Sequence, residues 1–145
     1  MKHRIFWITA AVLFGLVLTL QLLSQWCWTV CLSAESVTPK GATVIGVPVL
    51  CGFIGTLETG SPYSVQRKTA TGWQEVSELP RDHDMAWTME AYGHSKILPF
   101  RDAVSWESLY GELPPGEYRY AKRFYKTDLL GNWKDKMFYA EFTVQ

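Results

Sequence analysis

The chain has 145 residues, enough for one domain once any N-terminal segment is set aside. Fourteen Lys and Arg balance fourteen Asp and Glu. All the acids but only twelve of the bases lie beyond residue 34, so the C-terminal part carries a formal charge of −2 and lacks the basic footprint of a nucleic-acid binder.

The N-terminus starts with Lys2, His3 and Arg4, and Ile5 to Leu23 is apolar apart from Thr9, Thr19 and Gln21. No charge returns until Glu35. Two readings of residues 1–34 stay open. One is a secretory signal peptide cut after a small residue such as Ser33, Ala34 or Ser36. The other is an uncleaved anchor, for which about twenty apolar residues suffice, with Trp26 and Trp28 at the outer headgroups. Either places the rest of the chain outside the cytoplasm, because the positive end stays in. Three cysteines, Cys27, Cys31 and Cys51, make neither a zinc ligand set nor a complete disulfide framework. No small residues stand just before Cys27 or Cys31 to suit lipidation, and Cys51 reads as a buried small hydrophobe.

Residues 35–42, "ESVTPKGA", read as a polar linker, with the domain over 43–145. "TVIGVPVL" (43–50) is rich in β-branched residues, but Gly46 and Pro48 suggest an edge or bulged strand. "YSVQRK" and "GWQEV", joined by a short Thr/Ala/Gly turn, suggest a hairpin. Residues 85–92 alternate, with Met85, Trp87, Met89 and Ala91 on the expected core side. "SWESLYGEL" allows a single helical turn, with Trp106 and Tyr110 at i and i+4, before Gly111. In "EYRYAKRFY", Tyr118, Tyr120 and Phe124 share one face and Arg119 and Arg123 the other. "MFYAEFTV" keeps a strict period of two over eight residues, and "KTDLLGNWKDK" between them reads as a hairpin connection tipped by Gly131 and Asn132. About seven short strands in roughly a hundred residues predict an all-β, antiparallel sandwich.

Such a sandwich carries its chain between sheets with a tyrosine near the start of a late strand whose hydroxyl returns to upstream backbone. "LPPGEY" fits this device: Pro114 and Pro115 stiffen the approach, Gly116 allows the turn, and Tyr118 is the corner residue. "GSPYSVQRKTATGWQEV", "SWESLYGELPPGEYRYAKRF" and "YAEFTV" also resemble, in this order, a bacterial immunoglobulin-like domain found on exported and membrane-anchored proteins. The resemblance covers roughly residues 58–145. It implies an immunoglobulin-like sandwich on the outside of a bacterial cell and brings no catalytic residues with it.

The residues themselves offer little chemistry. His83 lies between Asp82 and Asp84, but neighbours on an extended chain point to opposite faces and do not converge, and a solvated loop is expected there. His94 in "YGHSK" reads as a turn residue. No nucleophile elbow, phosphate loop or HExxH occurs, so no catalytic, cofactor or metal residues are assigned. Arg119, Lys122, Arg123 and Lys126, with Tyr125, suggest a stripe for an anionic envelope polymer, against a plain solvated strand face that blunts an edge. Leu129, Leu130 and Trp133 at the hairpin tip suggest a protein contact, against folding back onto the core. The expected function is an exported, non-catalytic interaction or envelope module. The alternative is an accessory or sensory ectodomain of a membrane complex, with a small hydrolase or metal-binding protein ranked behind both.

Overall fold

A computed structural model describes residues 2–80, 91–128 and 130–145. Among these residues an N-terminal helix, α1 (Lys2–Cys27), runs into eight strands: β1 (Thr29–Thr38), β2 (Gly41–Val49), β3 (Leu57–Thr69), β4 (Gly72–Glu75), β5 (Tyr92–Gly93), β6 (Phe100–Ser105), β7 (Gly116–Thr127) and β8 (Trp133–Val144). A one-turn helix, α2 (Glu107–Tyr110), precedes β7 and stops at Gly111, whose φ of 72° suits a residue without Cβ. The expected strand over 85–92 lies largely outside the described residues.

Two antiparallel sheets face each other. One has the order β1-β2-β6, and the other β4-β3-β7-β8, with β5 sharing the free edge of β3 with β4. The β3–β4 hairpin turns at Ala70–Thr71, with Thr69 opposite Gly72, and β7–β8 is the longest pairing, from Gly116↔Val144 to Thr127↔Trp133. Pro62 sits where the β3–β7 register shifts between Thr59 and Tyr63. A bulge tolerates a residue with no N–H to give.

The first sheet departs from expectation. Residues 35–42 are no linker: they finish β1, turn at Pro39–Lys40 and begin β2. Thr38 Oγ1 holds this turn, accepting from Lys40 N at 3.3 Å and Gly41 N at 3.1 Å. The domain therefore begins at the end of α1 rather than at residue 43. Nor is β2 an edge strand, since β1 and β6 flank it. Its Gly and Pro are accommodated locally. Pro48 lies past Gly46↔Phe100, the last pair with β6, and a Cβ on Gly46 would overlap the Phe100 ring.

Inward positions fill two joined clusters. One holds Val44, Val65, Trp106, Leu109, Tyr118, Tyr120, Ala140 and Phe142. Phe142 stacks between Trp106 (centroids 4.9 Å, 15° between planes) and Tyr118 (5.7 Å, 18°). The other, at the α1 end, holds Trp28, Val30, Cys51, Leu57 and Phe124. Cys51 is buried, and burial pushes its thiol pKa up; Cys27 and Cys31 are exposed and free.

Candidate functional site

Gly116 opens β7, and the Tyr118 hydroxyl donates to the Pro114 carbonyl at 2.8 Å. A Cβ on Gly116 would stand 3.3 Å from both Arg67 Nε and the Tyr118 ring. The glycine thus permits the close approach of two side chains at the corner.

The basic run after the corner divides between two faces. Arg119 points out of the sheet, donates through Nε to Gln66 Oε1 at 2.7 Å, and lies between the Trp73 and Tyr139 rings (4.7 and 4.1 Å to the centroids). Arg123 is also outward, 3.6 Å from Asp135, with both side chains half-exposed. Lys122 and Lys126 fall on the inward parity with Phe124, so the four basic residues do not share one outward face. What remains outside is a cation–aromatic surface of Trp73, Arg119 and Tyr139.

Lys122 instead reaches an open cleft of about 610 Å³ between β3, β5 and β6, shared with Tyr63, His94, Arg101, Asp102 and Tyr120. Its ammonium donates to the Ser61 carbonyl at 3.1 Å, and burial pulls its pKa down to about 8 against the opposing pull of Asp102. Burial also pushes Tyr63 up to about 12, while its hydroxyl donates to the Ser105 carbonyl at 2.8 Å. The His94 ring packs at 4.0 Å on Phe100, burial lowers its pKa, and its Nε2 has no hydrogen-bond partner among the described residues. Among the described residues no three His, Cys, Asp or Glu side chains gather to hold a metal. His83, Asp82 and Asp84 lie outside those residues.

The other concentration of polar chemistry is where α1 meets the sandwich. Helix carbonyls near a C-terminus lack intrahelical donors and carry the negative end of the helix dipole. Here lysines from the β7–β8 hairpin supply the donors. Lys126 Nζ reaches Ser24 O (3.1 Å), Lys134 Nζ reaches Gln25 O (3.1 Å), and Lys136 Nζ bridges Trp26 O (3.2 Å) and Trp28 O (2.8 Å). Lys134 lies 4.3 Å from the Trp26 ring centroid and Lys136 lies 4.9 Å from that of Trp28. Gln21 Oε1 accepts from Phe53 N at 2.8 Å and Ile54 N at 3.3 Å, tying the 50–56 loop to the helix. Lys126 is buried, which lowers its pKa.

Sequence reasoning missed this lysine collar. A signal was present: continuing the period of β8 backwards from Phe138 puts Lys136 and Lys134 on the inward face, and an inward cation demands an acceptor. Of the hairpin-tip residues, Leu130 and Trp133 are 87% and 58% exposed, so neither folds back onto the core. Leu129 lies outside the described residues.

Two facing antiparallel sheets, closed by a tyrosine bonded back to the approach to its own strand, define an immunoglobulin-like β-sandwich. The family model described as Bacterial Ig-like domain matches residues 28–143, and the chain belongs to that family. The match begins at Trp28, immediately after α1 and upstream of the boundary expected from sequence. Neither a curated protein nor a solved structure matches the chain.

Proposed function

We propose that this protein is an exported, non-catalytic interaction module of the bacterial envelope, held on the membrane by an uncleaved α1. The observation that carries this reading is the join between helix and sheet. β1 starts at Thr29, two residues after α1 ends, and Trp28 and Val30 are 1% and 2% exposed within the core. Cleavage after Ser33, Ala34 or Ser36 would sever β1 and remove both side chains from the sandwich. A signal peptide gains nothing from such engagement, whereas an anchor gains a fixed mount. The His3–Cys27 stretch is long and apolar enough to cross a bilayer. Intact mass and membrane fractionation test the reading together. Full-length chain that stays with the membrane through alkaline extraction is expected, and a soluble product lacking about the first 34 residues overturns the tether.

The contact surface we assign to the module is the outer face around Trp73, Arg119 and Tyr139, where a guanidinium held between two rings suits a protein or an anionic envelope polymer. Service as an accessory ectodomain of a membrane complex is supported by the same join. Co-purification of an integral partner, lost in Arg119→Ala, separates that role from polymer binding.

A further inference from the structure

Three loops at the α1 end of the sandwich carry exposed large apolar side chains. Phe53 and Ile54, Ile97 and Leu98, and Leu130 and Trp133 are between 52% and 87% exposed. Hydrogen bonds gather these loops around the helix. The 50–56 loop hangs on Gln21, Lys96 Nζ donates to its Phe53 and Gly55 carbonyls (2.7 and 2.6 Å), and Thr56 N donates to Thr127 Oγ1 (2.7 Å) at the foot of the β7–β8 tip. Grouped apolar side chains at one end of a domain mark a surface that something covers.

The helix says what covers it. A hydrocarbon layer of about 30 Å takes roughly twenty residues at about 1.5 Å each. Counted from the residue after Arg4, that stretch is Ile5 to Ser24. Gln21 and Ser24, the residues gripped by the 50–56 loop and by Lys126, therefore fall within its last turn. No spacer lifts the sandwich clear of this level. Beside it, a cavity of about 230 Å³ opens between the helix and the domain, lined by Leu20, Pro48, Leu50, Phe53 and Ile97 with Lys96. Exposed Trp26 and Trp133 and the collar lysines are side chains of the kind that sit at headgroup level.

We propose that this end of the domain is seated in the bilayer leaflet on its own side, with the apolar tips among the upper acyl chains and the half-buried Lys134 and Lys136 at headgroup level. The proposal rests on the tethered reading above. It goes further in making the lipid surface a second binding partner, so that the sandwich stands at a set height and tilt.

The test uses the full chain in phosphatidylcholine/phosphatidylglycerol nanodiscs, in a background with Cys27 and Cys31 changed to serine and Cys51 to alanine. A nitroxide is placed in turn at Leu130, Ile97, Leu13 in mid-helix and Thr71 on the far β3–β4 turn, and its collisions with oxygen and with an aqueous nickel chelate are compared. The Cys-free parent must keep its β-sheet circular dichroism; if it does not, Cys51 is retained, its burial keeping it from the label. Expected is an oxygen-to-nickel ratio at Leu130 and Ile97 several-fold above Thr71 and approaching Leu13. Ratios equal to Thr71 while Leu13 reads as lipid-buried overturn the seating and leave the tether standing. An aqueous reading at Leu13 removes the tether and the seating with it. Protection of Leu130 and Ile97 from both reagents means that a second copy covers them, which also overturns the proposal.

Discussion

The Tyr118 hydroxyl makes one short bond to Pro114 O while its ring is buried against Phe142. Tyr118→Phe keeps the ring and removes the bond, so stability should fall by about 1 kcal/mol. Urea unfolding measures this, and an unchanged midpoint would mean the corner is held by packing alone. Lys122 acts the other way. With its folded pKa near 8 and its unfolded value near that of free lysine, the unfolded chain binds more protons between these limits, so this group's contribution to stability rises with pH across that window. Lys122→Met should therefore be more stable than the parent at pH 7. The gap should narrow by about 1 kcal/mol between pH 8 and 9.5, a figure reduced for the partial solvent screening of the site. Thermal unfolding of both proteins across that range checks the sign. His94 adds to the penalty on the acid side: its lowered pKa means that stability is lost as pH falls below the ordinary histidine value.

Among the elements, β7 and β8 were legible because both pack one face inward and leave the other in water, so their period of two is written plainly. The α2 turn was equally legible from Trp106, Tyr110 and Gly111. β1 was not, because Ser33, Ala34, Glu35 and Ser36 have the composition of a processing site, and the first three take strand conformation by pairing with Ile45, Val44 and Thr43 of β2. Such partner-dependence is what makes strand propensity a weaker guide than helix propensity. β6 was hidden for the same reason, its Arg101, Asp102 and Ser105 giving little apolar alternation. The pairing of β1 implies that a chain starting at Glu35 loses Trp28, Val30 and six of the eight pairs with β2, those of Thr29 to Ala34. Loss of the tryptophan alone is expected to cost about 3–5 kcal/mol. Near-UV circular dichroism of that shortened chain should show a marked loss of fixed aromatic packing; a native-like spectrum would mean that β1 is dispensable.

At the scale of the molecule, the fold class was readable and the candidate site was only half so. Gly116 and Tyr118 lie in one short stretch, and their corner is local. The lysine collar joins positions about a hundred residues apart, and the Trp73–Arg119–Tyr139 surface joins three different strands. Proximity of that kind is created by sheet order, and no spacing along the chain records it.

The absence of slack between α1 and β1 has a mechanical meaning. A flexible stalk lets a domain sample a hemisphere above its membrane, whereas a splinted joint turns helix and sandwich as one lever. With α1 retained, the Trp73–Arg119–Tyr139 face keeps one compass bearing about the helix axis. Under the proposed tether, a partner diffusing in the same membrane would search in a plane and meet that face at a single elevation. A tilt imposed on the helix, by a change in bilayer thickness or by a neighbouring helix, swings the face by the same angle.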